Sequence, residues 1–336
     1  MGKTKLEFVR SRDVAQLAGV SRSAVSRTYT PGAYVSDATR KKVLAAAEML
    51  GYAPNAMARS LKTKRTGIIG IVSSDLHNPF QAELLERLTT ALQNEGFAPL
   101  LLFADDADSD QQLEQMISYQ VEALAVTSAT VSSRMAARFL GSNKPIVAIN
   151  RFLAQGEITS ITSDNAGSAA KIVDHLVEIG CRKIAFVSGD PIASSSQERE
   201  DGFLRRMAHY NLVPFSITGG NYTYEGGVEA GRRILEGDAI PDAIACANDL
   251  MSFGVIDIGR DAFGIDVPKD VKVTGFDNSL IADWQSYALT SIDPDVERMV
   301  QLGLKNIMSG ITGQPQSPPS HLKVPGQLVV RASTIR

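Results

Sequence analysis

From Gly67 onward, short apolar runs alternate with amphipathic stretches, and the whole alternation occurs twice. The first set reads "GIIGIVSS", "APLLLFAD", "VEALAVTS" and "KPIVAIN", with "FQAELLERLTTALQNEGF" and "SDQQLEQMISYQ" between them. After "ITSDNAGSAAKIVDHLVEIG" comes a second set, "KIAFVSG", "PDAIACAND" and "VKVTGFDN", separated by "QEREDGFLRRMAHYN" and "YTYEGGVEAGRRILEG". A strand that is apolar at nearly every position must be covered on both faces, as in a parallel sheet flanked by helices. The pattern therefore predicts two doubly wound α/β lobes. Ligands of such sheets bind beyond the carboxyl ends of the strands, so the two sets of strand ends should line one crevice.

A chain of 336 residues exceeds what one core usually covers. With 44% hydrophobic and 21% charged residues, its composition is that of a globular protein. Every apolar run is shorter than the roughly 20 residues of a membrane span, and "MGKTKLEFVRSRD" lacks the apolar stretch of a secretory signal. Cys181 and Cys246 have no metal-binding spacing and read as buried thiols in a reducing compartment. A cytoplasmic protein with no membrane partner is expected.

The net charge of −3 hides an asymmetry. Residues 1–65 hold 13 Lys and Arg against four acidic residues, a net +9, which leaves −12 for the remainder. A basic head on an acidic body points to a polyanionic partner for the head alone. Within it, "RDVAQLAGVSRSAVSR" has the spacing of two short helices around a turn. Ser11 is the expected N-cap of the first, Val14, Leu17 and Ala18 its apolar face, and Gly19 its stop. Ser21 should cap the second, with Ala24, Val25 and Thr28 inward and Arg22, Ser23, Ser26 and Arg27 outward. This is the pattern of a helix-turn-helix, whose second helix enters the major groove with its N-terminal residues foremost. An arginine there can donate two hydrogen bonds to guanine, whereas serine reads bases more weakly. In the third helix, Val43, Leu44, Ala47 and Leu50 would close the core, leaving Arg40, Lys41 and Lys42 outside. The segment "APNAMARSLKTKRTG" is too short for a core and carries Arg59, Lys62, Lys64 and Arg65. It reads either as a cationic linker or as a short helix that orders on DNA, with Leu61 as a minor-groove wedge.

The ordered elements "DVAxxAGVSxxxVSR", "VSxxTRxKV" and "GYxPNxxAxxL" in this head resemble the lactose-repressor/galactose-repressor (LacI/GalR) family of bacterial transcription regulators. That resemblance implies an N-terminal all-α helix-turn-helix domain (1–52), a hinge helix (53–65) and an α/β periplasmic-binding-protein-like effector domain of two doubly wound lobes (66–336). Lobe one should hold about 66–161 plus 292–322, and lobe two about 162–291 plus 323–336. It also implies DNA contacts by Ser21, Arg22, Ser23, Ser26, Arg27, Thr30, Tyr34 and Asn55, with Ala58 and Leu61 approaching the minor groove. Thr30 departs from the asparagine common in the family.

In the body, the strand ends carry the informative side chains. Asp75, His77, Asn78 and Phe80 follow the first strand, and Asn150 and Arg151 end the fourth. Arg199, Asn248–Asp249 and Asp277–Asn278 lie at strand ends or helix starts of the second set. Small polar ligands such as sugars need bidentate donors and acceptors beside an aromatic face, which Phe80, Tyr222 or Trp284 could supply. By the resemblance, Arg199, Asn248 and Asp277 are effector contacts, Phe80 and Tyr222 wall positions and Asn150 a further pole of the site; their place after the first strand adds Asp75 and Asn78 as expected contacts. Asn150 replaces an aspartate common in the family. Several of these have structural alternatives: Asp164–Asn165 and Asn248–Asp249 as helix caps, Arg199 paired with Glu198, Glu200 or Asp201, and Tyr222, Tyr224 and Trp284 as core.

No glycine-rich phosphate loop, HExxH or GxSxG is present, and the four histidines are scattered, so neither an enzyme nor a cofactor or metal is expected. The tail "GITGQPQSPPSHLKVPGQLVVRASTIR" ends in a strand with no leucine heptad after it, so a homodimer on palindromic operator DNA is expected rather than a tetramer. The expected function is a repressor controlled allosterically by a sugar or sugar acid in the crevice. A solute-binding protein or a carbohydrate-active enzyme of the same body plan is the alternative.

Overall fold

Residues 9–30, 32–54, 65–103, 109–127, 141, 144–153, 158–314 and 320–335 are described by the computed structural model of the chain. Residues up to Thr66 and residues from Gly67 pack as two separate units.

In the first unit, α1 (Ser11–Ala18), α2 (Arg22–Thr28) and α3 (Asp37–Leu50) enclose Val14, Ala15, Val25, Val43, Ala46 and Ala47. Helix α1 starts one residue earlier than its hydroxyl suggests. Arg10 is the N-cap, and its N–H donates to the Asp13 carboxylate at 2.8 Å. An acidic residue in the first turn thus does the work expected of Ser11. Gly19 stops the helix with φ 63, the left-handed region that glycine enters without a Cβ penalty. Ser21 caps α2 by accepting from Ala24 N at 3.2 Å. Two leucines expected inside are outside: Leu17 is 52% and Leu44 46% exposed, while Ala15 and Ala46 take the buried places. Three short helices in close contact leave room at their crossings for alanine, not leucine.

The second unit contains two six-stranded sheets. The first has the order β11 (His321–Val324), β5 (Thr159–Ser163), β4 (Ile146–Ile149), β3 (Ala123–Val126), β1 (Ile68–Ser73), β2 (Ala98–Phe103), all parallel. The second runs β12 (Gln327–Val329), β10 (Thr290–Asp293), β9 (Lys272–Phe276), β8 (Ala243–Cys246), β6 (Ile184–Ser188), β7 (Ile217–Gly219), with only β12 antiparallel. The sheet membership puts the three crossings after Ser163, Asp293 and Val324, each two residues beyond the expected lobe limits. Helices α4 (Pro79–Asn94), α5 (Ser109–Ser118) and α10 (Val296–Thr312) belong to lobe one. Helices α6 (Asn165–Glu178), α7 (Ser194–His209), α8 (Tyr224–Leu235) and α9 (Asp249–Phe263) belong to lobe two.

Helix α4 seals lobe one with Leu84, Leu88 and Leu92, all fully buried against Ile69, Ile71 and the α10 residues Met299 and Val300. Cutting any of these leucines to alanine should cost about 2–5 kcal/mol. Lobe two closes over Phe186, Phe203, Ile244, Val273 and Phe276. Cys181 and Cys246 are buried free thiols in this core. Among the described residues no helix is long and apolar enough to cross a membrane.

In each sheet the strand order reverses once on either side of its first strand, between β1 and β3 and between β6 and β8. The carboxyl ends of those four strands mark where a ligand of this architecture sits.

Candidate DNA-reading face and effector cleft

On α2, Arg22, Ser23, Ser26 and Arg27 are all exposed, while Val25 and Thr28 on the opposite face are buried. The outward face is braced from within. Arg40 Nη1 donates to Thr28 O at 3.0 Å, tying α3 to the end of α2, so Arg40 is not simply solvated. The Ser21 and Ser23 hydroxyls lie 2.8 Å apart, and Arg27 Nη2 reaches Ser23 Oγ at 3.5 Å. Thr30 Oγ1 donates to Ser26 O at 2.8 Å, and Tyr34 is 85% exposed. Asn55, Ala58 and Leu61 lie outside the described residues.

In lobe two the centre of the site is Arg199, 5% exposed. Its Nε donates to Asn165 Oδ1 at 2.9 Å, and its Nη1 donates to Ala247 O and stands 3.5 Å from Asp277 Oδ1. The guanidinium carbon stands over Phe276, 3.5 Å from the ring centroid, and 5.9 Å from that of Tyr222. Stacking and fixed acceptors hold an arginine in a single pose, which an ammonium could not match. The expected alternative partners do not hold it. Glu198 instead bonds Asn165 Nδ2 at 2.9 Å and Lys323 Nζ at 2.7 Å, so it joins lobe two to strand β11 of lobe one. Burial alone would raise the Glu198 pKa, but the Lys323 and Asn165 hydrogen bonds outweigh it and hold the carboxylate below its usual range.

Asp277 has φ 119, a conformation rare for a non-glycine residue. Burial pushes its pKa well up, with the Asp249 and Glu83 charges adding to the rise and Arg199 opposing it. Asp249, 1% exposed, accepts from Ser279 N at 2.7 Å and from the Ser279 and Ser291 hydroxyls; burial still pushes its pKa up to about 6. Its space exists because residue 275 is glycine, whose Cβ would stand 2.3 Å from Asp249 Oδ1. Tyr222 lies over Gly189 at the end of β6, where a Cβ would meet the ring at 2.2 Å. Its hydroxyl bonds Ser195 Oγ at 3.2 Å.

Several expected contacts have structural employment. Asn248 caps α9 by accepting from Met251 N at 2.9 Å, and its amide donates to Tyr222 O at 3.3 Å. Asp164 caps α6 by accepting from Gly167 N at 3.1 Å, but Asn165 goes beyond a cap by holding both Arg199 and Glu198. Asn78 caps α4 through Phe80 N at 3.1 Å. Phe80 is no cleft wall. It is 3% exposed and packs in the lobe-one core with Leu84 and Ile71, because the register of α4 turns it inward over the sheet. Trp284 is 53% exposed rather than core, and Tyr224 bonds Asp257 at 2.9 Å. Asp75 is exposed, in the left-handed conformation at φ 52. Asn150, at φ 63, is half-buried at the end of β4, its N–H donating to Ile161 O at 2.7 Å.

Between the lobes a groove of about 1250 Å³ runs past Pro79, Ala82 and Glu83 of α4, Asp277–Ile281 and Val296. Asp277 thus faces Arg199 on one side and the groove on the other. Among the described residues no group of His, Cys, Asp and Glu could hold a metal ion.

Residues 12–55 match the family model for bacterial regulatory proteins of the lacI family, and residues 173–334 that for a periplasmic binding protein-like domain. Catabolite control protein A of Priestia megaterium is 32% identical over 335 residues, covering 96% of this chain and 98% of that protein. The chain belongs to the LacI family of bacterial regulatory proteins.

Two solved structures bear on the fold. The lac repressor dimer bound to operator and the anti-inducer ONPF superimposes with a TM-score of 0.86 at 23% identity, covering 98% of this chain and all of that one. A complex of the transcriptional regulator CelR with cellobiose gives 0.73 at 27% identity, over 97% and 99%. The regulator therefore has the head and two-lobed body of this family over 98% of its length, and the relative from Priestia megaterium is named as a control protein.

Proposed function

We propose that this regulator represses transcription in the cytoplasm as a homodimer on a palindromic operator, under the control of a small polyhydroxylated effector held between the two lobes. The reading rests above all on the exposed Arg22–Arg27 face of a capped and braced helix, in the unit that carries the positive charge. Among the described residues no hydrogen bond or ion pair holds the Arg22 guanidinium, so its fork is available to guanine O6 and N7. One such helix carries little affinity, and two copies on a two-fold site supply the remainder.

The effector is read by Arg199 and Asp277 from lobe two. Both are positioned before any ligand arrives, which lowers the ordering cost of binding. Sugars and sugar acids both suit an arginine beside a carboxylate. An effector that favours one arrangement of the lobes shifts operator affinity through residues 53–65, which connect the two units.

The test is a nuclease footprint on the promoter next to the regulator's own coding sequence, with and without a panel of sugars. Protection of a palindromic site that one sugar weakens or strengthens is expected. No protection at low salt with dimer present would exclude repression at that promoter.

A further inference from the structure

Asp277 and Asn278 follow β9 with φ 119 and φ 49, two successive positive values without a glycine. Residues in sparsely populated backbone regions persist only where their surroundings over-determine them. Asn278 supplies that determination with three bonds. Its N–H donates to Ser291 Oγ at 3.0 Å, its Nδ2 donates to Asp293 Oδ2 at 3.1 Å, and its Oδ1 accepts from Arg331 Nη2 at 2.7 Å. A guanidinium only donates and a carboxylate only accepts, so the side chain between them must carry one acceptor and one donor. An aspartate here would face Asp293 with like charge, and an apolar residue would leave both partners unpaired.

Both partners of that amide stand where the chain passes between the lobes. Asp293 ends β10 at the second crossing, and its Oδ1 accepts from Asp295 N at 2.8 Å, in the turn that enters lobe one. It pairs with Gln327 of β12, and a Cβ on Gly326 of the third crossing would stand 3.1 Å from Asp293 O. Arg331 follows β12 by two residues; its side chain is 17% exposed and also donates to Leu289 O at 2.8 Å and Asp283 Oδ1 at 3.1 Å. The second and third crossings thus meet at the residue that holds Asn278. We propose that Asn278 is the positioning residue of the effector site: it ties the aim of Asp277 to Asp293, where two chain crossings meet. This rests on the reading that the effector binds between the lobes at Asp277. An effector that engages Asp277 is then felt at the crossings, and the arrangement of the lobes sets effector affinity through the same link.

The test uses the full chain, the variant Asn278→Asp, and the double variant Asn278→Asp with Asp293→Asn, which rebuilds the bond with donor and acceptor exchanged. Trp284, the only tryptophan of the chain, follows the short helix Leu280–Asp283 and reports on this segment before any ligand is added. Its fluorescence anisotropy should fall in Asn278→Asp and return to the wild-type value in the double variant. Calorimetric titration with D-ribose, D-glucose, cellobiose and D-gluconate should then show about tenfold weaker binding in Asn278→Asp, with most of the loss recovered in the double variant. Operator affinity without sugar should stay within about twofold of wild type in both. Unchanged Trp284 anisotropy in Asn278→Asp would overturn the proposal, as would a double variant no better than the single one, or an equal loss of operator affinity. If none of the four sugars binds wild type, binding of these effectors between the lobes is excluded. The ligand-free anisotropy, read in the same samples, separates that failure from one confined to Asn278.

Discussion

Arg199 Nη1 lies 3.5 Å from Asp277 Oδ1, and each side chain is 6% exposed. A buried ion pair adds little net stability, but removing one partner strands the other at a cost of about 3–5 kcal/mol. The pair is the last link of a chain of contacts, Lys323–Glu198–Asn165–Arg199–Asp277, that begins in lobe one and ends at the cleft in lobe two.

Asp277→Asn keeps an acceptor beside Arg199 and removes the buried charge. It should impair the effector response while leaving operator affinity nearly unchanged, measured by fluorescence anisotropy on operator DNA. Arg199→Met instead leaves Asp277 and Asp249 uncompensated and should lower the unfolding free energy by about 3–5 kcal/mol in urea. Equal loss of operator and effector binding in Asp277→Asn would assign the carboxylate a structural role.

Gly189→Ala places a Cβ against the Tyr222 ring. Displacing a packed aromatic in this way should cost about 1–3 kcal/mol of stability and weaken effector binding, with DNA binding retained. Unchanged effector affinity would take Tyr222 out of the cleft.

The buried carboxylates give stability a defined pH dependence. Burial raises Asp249 to about 6 in the folded chain, above its ordinary value, and Asp277 shifts in the same direction. The folded state therefore holds protons that the unfolded chain has released. This contribution is fully present below about pH 4 and is lost as the pH rises through about 6. Compared with Asp249→Asn, wild type should lose ground in urea midpoint across that window and run parallel above it. A gap that widens in favour of wild type as pH rises would contradict the assignment.

Arg22→Ala should cost about 1–3 kcal/mol in operator affinity and relax preference at one or two base pairs, read by binding to an operator library. A uniform loss over all sequences would make Arg22 a phosphate contact.

The head was legible where local chemistry decides. Ser21, Gly19 and the outward set Arg22, Ser23, Ser26 and Arg27 follow from capping and helical period alone. Leu17 and Leu44 were misplaced because period does not say how closely helices approach. In the body, runs apolar throughout announced the central strands, but β7, β10 and β11 are short, half-exposed or rich in Ser and Thr, and lack that signal. The site was legible by residue type and blurred by register. Phe80 was favoured for its ring, yet the register of α4 packs it into the lobe-one core. Asn165 and Gly189 carry no local signal of their roles, since both depend on partners far along the chain.

The central claim is that operator and effector are coupled through one molecule, and coupling of binding free energies is reciprocal. The decisive measurement is the operator dissociation constant with and without saturating effector, set against the effector dissociation constant with and without saturating operator. The account predicts the same factor in both directions, on the order of 5–150-fold, and its disappearance in Asp277→Asn. An effector that binds in the cleft and leaves operator affinity unchanged would contradict it.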